Sequence, residues 1–279
     1  MLPVQVALVS ATTQTDPADV NHVAAALQKQ AIRDFAPIWS IAATVDVFTS
    51  LRTVPAGYWP VVVVDDVKGA AGYHQDSRGH PYALVEYSAS WSLTASHEVL
   101  EMLADPFGRR TVAGRSPKRG QGQVEFLVEV GDPCESAEFA YTINGVLVSD
   151  FITPYFYDPR KTIGARYSFT GAVERPRRIL RGGYISWWDP QSDHVWQELW
   201  LGAEKEFKDL GQGAFSSGKS LREFVDANTE HPGIDKGLDE SNEALGDARE
   251  AWRGANEAAD ARGARFEEEI ARLLEGGGS

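Results

Sequence analysis

Apolar positions change their spacing several times along the chain, and each change marks an element. Residues 4–9, Val-Gln-Val-Ala-Leu-Val, read as a buried strand. Asp16-Pro17 then opens a helix in the preferred way, with Asp as the cap and Pro at the first helical position. Val20, Val23, Ala24, Leu27, Ala31 and Phe35 follow at helical spacing. Residues 41–48 and 61–64, rich in β-branched side chains, predict two more strands. Residues 72–87 read as a loop running into an edge strand, with Pro81 at the strand's start where a missing donor is tolerated.

The next stretch, Thr94-Ala95-Ser96-His97-Glu98-Val99-Leu100-Glu101-Met102-Leu103-Ala104-Asp105-Pro106, predicts a short helix. Val99, Leu100, Met102 and Leu103 fill one side, and Thr94 or Ser96 can cap its start. Pro106 ends it, because the residue before a proline is pushed out of the α region. Residues 109–122 are basic and Gly-rich and read as an exposed loop, and 124–130 as a strand ending in the Asp132-Pro133 turn. Asn144-Gly145 between apolar runs predicts a hairpin over 141–148. Residues 179–188 and 194–201 add strand-like segments with clustered tryptophans, so 124–201 read mostly as β.

From Leu221 the composition becomes acidic, Ala-rich and helical. Leu238, Leu245, Trp252, Ala259, Phe266 and Leu273 recur every seven residues, one face of a long helix. That face, over residues 235–275, is expected to dock on the body, on a protein partner or on a second copy. Together these elements predict an α+β fold in three parts. An N-terminal module spans 1–123, a β-rich part spans 124–203, and a Gly/Ser loop with an acidic helical tail spans 204–279.

Composition narrows the partners. With 43% hydrophobic and 10% aromatic residues, the 279-residue chain can bury a sizeable core. A net charge of −13 makes nucleic acid and anionic membrane unexpected partners. Cys134 is the one cysteine, which excludes an intrachain disulfide and a Cys-based zinc site. The N-terminal residues lack a basic segment before their apolar run, and no apolar run approaches the roughly 18 residues of a membrane span. The expected location is the cytoplasm, with export lacking a leader left open.

The chemistry concentrates on the 94–106 helix. His97 and Glu101 lie four residues apart, within about 40° of each other on one helix face, the spacing two side chains need to share one metal ion. Catalytic zinc takes three protein ligands and leaves one position open, so a third ligand must come from elsewhere. Acidic residues beyond the helix are the natural source. Glu129 is the first choice because it ends an apolar strand before a turn; Asp132 is the second and Asp105 the third. One histidine with two carboxylates suits Zn²⁺ and also admits harder ions such as Mn²⁺ or Ca²⁺. The plainer account of Glu98 and Glu101 is a solvated helix face, with acidic residues favoured near a helix start.

The order strand, helix, strand, strand, edge strand, motif helix resembles the N-terminal half of zincin metallopeptidases. Residues 4–106 cover that likeness, with His97-Glu98-x-x-Glu101 in the place of the H-E-x-x-H helix and a glutamate where the second histidine stands. The stretch to about residue 200 is also similar to bacterial proteins that carry an S-H-E-x-x-E-x-x-x-D-P helix. The matching later segments are Glu129-Val130-Gly131-Asp132-Pro133 and Val148-Ser149-Asp150-Phe151-Ile152-Thr153-Pro154. That second likeness bears on fold rather than activity. The zincin resemblance implies a metal-dependent peptidase acting on a peptide or protein substrate, with His97, Glu101 and Glu129 as ligands. It implies Glu98 as the general base, and a tyrosine such as Tyr155 or Tyr157 as a donor to the oxyanion. The competing expectation is a non-catalytic binding or structural protein that keeps the scaffold and works through its acidic C-terminal helix.

Four other signals carry less. Residues 213–220, Gly-Ala-Phe-Ser-Ser-Gly-Lys-Ser, match the P-loop pattern, and Lys219 would be its lysine. The mechanism needs a buried strand just before it, whereas residues 204–209 are charged and helical in character, so a Gly/Ser loop is expected. His74 and His80 flank a Gly-rich turn and offer a second metal pair, with loop surface the stronger reading. His194, beside Trp196, reads as a packed or surface imidazole, and Cys134 as a buried small side chain.

Overall fold

The computed structural model describes residues 2–67, 70–215 and 218–229. A first sheet is built from β1 (Val4–Ser10), β2 (Ala43–Phe48), β3 (Trp59–Val64), β4 (Gly72–Ser77) and β5 (His80–Glu86). Its order is β2-β1-β3-β5-β4, with β4 antiparallel on the outside and the other four strands parallel. Parallel strands covered on both faces read as unbroken apolar runs, and β3 is such a run. Val61 and Val63 face one core and Val62 and Val64 the other, as Val6 and Leu8 do against Ala7 and Val9. A second, antiparallel sheet has the order β12-β11-β10-β7-β6. Its strands are β6 (Thr111–Arg115), β7 (Gln123–Leu127), β10 (Tyr184–Asp189), β11 (His194–Leu199) and β12 (Glu206–Gln212). The fold is α+β.

Four α-helices complete the described residues: α1 (Pro17–Lys29), α2 (Ala36–Trp39), α3 (Trp91–Ala104) and α4 (Leu221–Asn228). Asp16 caps α1 through Ala18 N–H, as expected, and Pro17 follows it. The helical spacing to Phe35 is kept through a π-turn, Gln30–Phe35, which buries Ala31 and Phe35. A small hairpin, β8 (Tyr141–Ile143) and β9 (Val146–Val148), turns at Asn144 and Gly145, both at positive φ as a type I′ turn requires. One core cluster runs from Val6 and Leu8 through α3 to Phe126, Phe151 and Trp187.

Several expectations are corrected. Residues 72–77 form strand β4 rather than a loop, and β4 is the edge, while β5 lies inside the sheet. Arg78 and Gly79, both at positive φ, make the tight turn between them. The exposed loop expected at 109–122 contains β6, paired residue by residue with β7. Helix α3 begins at Trp91, so Thr94 and Ser96 lie inside it and cap nothing. Ser96 instead bonds Leu93 O and accepts the N–H of Ser149 at 2.6 Å. Residues 206–209 belong to strand β12, an exposed edge whose charges discourage further pairing.

Among the described residues no helix is long and apolar enough to cross a membrane. The heptad pattern over 238–273 lies outside the described residues.

Candidate metal centre

Four elements converge on one buried polar cluster. Helix α3 brings His97, Glu98 and Glu101, and Glu98 and Glu101 are 3% and 0% exposed. The solvated-face account of these two residues therefore fails, because strand β4 covers Glu98 while the turn after β7 and helix α4 cover Glu101. In strand β4 the one buried position is His74, at 0% exposure rather than on a loop surface. The segment after β7 brings Glu129, Asp132 and Glu135. Helix α4 brings Arg222 and Asp226 from its first and second turns.

Close approach to α3 is made possible by two glycines. A Cβ on Gly131 would lie 2.6 Å from His97 Cε1, and a Cβ on Gly72 would lie 2.6 Å from Thr94 Cγ2 and 3.1 Å from Glu98 Oε1. The turn and the edge strand thus press backbone directly against the motif residues.

The histidine of the motif makes two equal contacts. His97 Nε2 lies 3.3 Å from Glu101 Oε1 and 3.3 Å from Asp132 Oδ1. Glu101 Oε1 also accepts the backbone N–H groups of Gly131 and Asp132, at 3.1 and 3.2 Å. Its other oxygen, Oε2, accepts from Arg222 Nη1 at 3.0 Å. The same Nη1 lies 2.8 Å from Glu129 Oε2 and 3.7 Å from Asp132 Oδ2, while Arg222 Nε lies 2.9 Å from Asp226 Oδ1. On the far side His74 Nδ1 lies 3.4 Å from Glu98 Oε2 and 3.7 Å from Glu101 Oε2. His74 Nε2 faces the carbonyl of Asp105 at 3.2 Å.

Charge is unbalanced. Glu98, Glu101, Glu129, Asp132, Glu135 and Asp226 gather around one arginine and two histidines. Burial pushes the Glu129 carboxyl well above the usual range, and burial with the charge of Glu101 moves Asp132 up to about 6. Burial and Asp132 move Glu135 up to about 8. Burial opposes ionisation of Glu101, yet His97 and Arg222 outweigh it and hold that carboxyl well below its ordinary value. Burial likewise opposes the His97 imidazolium, but Glu101 and Asp132 raise its pKa well above normal. The cluster is therefore a proton-holding site, and each retained proton marks charge that a bound cation can neutralise.

Its donors fit a metal ion. Asp132 Oδ1, Glu98 Oε2 and His74 Nδ1 are buried without a hydrogen-bond partner. Three overlapping groups bring ligand atoms within 4.8 Å of one another: His97, Asp132 and Glu135; Glu101, Glu129 and Asp132; and His74, Glu98 and Glu101. These buried His/Glu/Asp groups can hold a metal ion.

His97 and Glu101 come together, and Asp132 stands closest to His97 among the three candidates for a third ligand. Glu129 joins Glu101 and Asp132 but is paired with Arg222. Asp105 serves the end of α3: its carboxylate accepts Arg110 N–H at 2.7 Å. Tyr157 is buried beside the cluster with its hydroxyl on Leu127 O, whereas Tyr155 is 53% exposed. His194 pairs with Asp209 at 2.8 Å, and Cys134 is buried with its thiol pKa pushed up by burial. Local spacing gave no sign of Glu135, Arg222 and Asp226, and it ranked His74 as loop surface ahead of metal ligand. Arg222 carries no local signal of its role, since 121 positions separate it from Glu101.

No protein-family model, curated protein or solved structure matches the chain.

Proposed function

We propose that the chain is a metal-dependent hydrolase of peptide bonds with a zincin-like N-terminal module, its ion held by His97, Glu101 and Asp132. The carrying observation is that His97 Nε2 stands 3.3 Å from an oxygen of each carboxylate. A tetrahedral ion with bonds of about 2.0–2.1 Å keeps its ligand atoms about 3.3–3.4 Å apart. The element order supports the module: strand, helix, two strands, a hairpin and then the motif helix. One imidazole among carboxylates favours Zn²⁺ or Mn²⁺ over Ca²⁺.

A bound ion of this kind supplies Lewis-acid polarisation and makes a nearby water more acidic. Glu98, next to His97 and with Oε2 free of hydrogen bonds, is the group proposed to take the proton. Gly131 and Asp132 N–H groups and Arg222 fix the Glu101 carboxylate from three directions. The side chain of His97 is 11% exposed and Glu135 is half-buried, so this is the side from which substrate is proposed to approach.

A second reading rests on Arg222. Its Nη1 lies within 4 Å of Glu101, Glu129 and Asp132, so a guanidinium can serve as the resident cation of a non-catalytic scaffold. Elemental analysis separates the two. Wild type, His97→Ala and Glu101→Ala are dialysed against Zn²⁺ or Mn²⁺. An equivalent bound by wild type and missing from both variants supports the hydrolase, and Glu98→Gln should then keep that ion and lose peptidase activity. Metal-free wild type sinks the hydrolase and leaves the scaffold.

A further inference from the structure

The centre has a second compartment, on the side of Glu101 away from His97. We infer that His74, Glu98 and Glu101 form a second divalent-cation site, of the Zn²⁺ or Mn²⁺ class, with Glu101 shared between the two. It rests on the reading above only in that Glu101 is a ligand in both.

The carbonyl of Asp105 can only accept, so the His74 nitrogen facing it, Nε2, carries the hydrogen. In a neutral ring Nδ1 is then a bare lone pair. It faces two carboxylate oxygens, Glu98 Oε2 and Glu101 Oε2, which are also lone-pair atoms. Nδ1 and Glu98 Oε2 are both buried without a hydrogen-bond partner. Lone pairs in a dry interior that point at one another cost free energy unless a positive charge lies between them.

Distance and the outer contacts agree. The separations of 3.4 and 3.7 Å exceed the roughly 2.7–2.9 Å of a charge-assisted N–H···O bond. They suit ligand atoms about 2.1 Å from a common ion. A metal-bound imidazole usually gives its other N–H to a backbone carbonyl or carboxylate, which fixes the ring, and Asp105 O does this for His74. Arg222 Nη1 uses one lone pair of Glu101 Oε2, and a carboxylate oxygen has two. A further divalent charge also reduces the excess of carboxylates in the cluster. An ion here takes up the carboxylate that the proposed base role of Glu98 needs, so the two uses of Glu98 exclude each other.

Metal counting on the full chain tests the site. Wild type, His74→Gln, Glu98→Gln and His97→Gln are stripped with chelator, titrated with Mn²⁺ and assayed by elemental analysis after gel filtration. The expected counts are two equivalents in wild type and one in each variant. Mn²⁺ electron paramagnetic resonance of the loaded wild type should show a signal weakened by coupling through the shared carboxylate. His74→Gln should restore the six-line spectrum of an isolated ion. Glu98→Gln preserves side-chain volume, and thermal melting in chelator confirms that each counted variant is folded. One equivalent that survives His74→Gln and Glu98→Gln but is lost in His97→Gln overturns this site and leaves the first. One equivalent with the opposite pattern upholds this site and overturns the first. No metal in wild type overturns both.

Discussion

Arg222 and Glu101 meet across 121 positions of chain, with Nη1 3.0 Å from Oε2 and both side chains almost wholly buried. The pair ties the last described helix to the motif helix and sets the electrostatics of everything between them. Its guanidinium also reaches Glu129 and Asp226, so one side chain neutralises part of a carboxylate cluster far larger than itself.

Removing that guanidinium should be costly. Arg222→Ala leaves buried carboxylates without a counter-charge, and breaking a buried pair in this way costs about 3–5 kcal/mol. Urea denaturation at neutral pH in chelator measures it. Added Zn²⁺ or Mn²⁺ should recover part of the loss, because an ion can take over the neutralising role. A loss under about 1 kcal/mol would show that the cluster does not depend on Arg222.

Stability of the metal-free chain should fall as pH rises from about 5 to 8. Asp132 and Glu135, at about 6 and about 8, keep protons in the folded chain that unfolded carboxyls release near pH 4. The folded state then binds more protons, so this cost sets in above about pH 4 and is complete for Asp132 above pH 6. Two units correspond to roughly 3 kcal/mol as a ceiling for Asp132. His97, raised, adds stability that is full below about pH 6.5 and is lost as pH climbs through its folded value. Glu101, lowered, acts in the opposite sense, its contribution being lost only on acidification. Urea midpoints at pH 5, 6.5 and 8 check this, and saturating Zn²⁺ or Mn²⁺ should flatten the trend. A midpoint that climbs over this range in chelator would contradict the proton-holding cluster.

Gly131→Ala should displace His97. The new Cβ would meet the imidazole at 2.6 Å from Cε1, and overpacking of this kind costs about 1–3 kcal/mol. The expected outcome is a lowered melting temperature in chelator together with weaker metal binding. Normal binding in this variant would mean that His97 is not held where the ion must sit.

Ser96→Ala probes the scaffold without touching a proposed ligand. It leaves the buried N–H of Ser149 without its acceptor, a loss of about 1–3 kcal/mol. Metal stoichiometry should be unchanged while the urea midpoint drops.

Local patterns along the chain carried β1, the Asp16-Pro17 cap of α1, the Asn144-Gly145 hairpin and the shared face of His97 and Glu101. Each depends on residues within a few positions of one another, through a fixed period or a turn that only certain residues tolerate. Strand β4 was hidden because its residues are mostly polar and β6 because it is short and lies in a basic, Gly-rich stretch; pairing with β5 and β7 makes them strands. Burial of Glu98 and Glu101 was hidden for a related reason. A polar helix face reads as solvated unless something covers it, and the cover arrives from strand β4, the turn after β7 and α4. The sequence by itself determined which residue types could do chemistry on α3. The tertiary structure alone decided that His74, Glu129, Asp132 and Arg222 surround them, because the contacts that select those partners span up to 121 positions and leave no trace in local spacing.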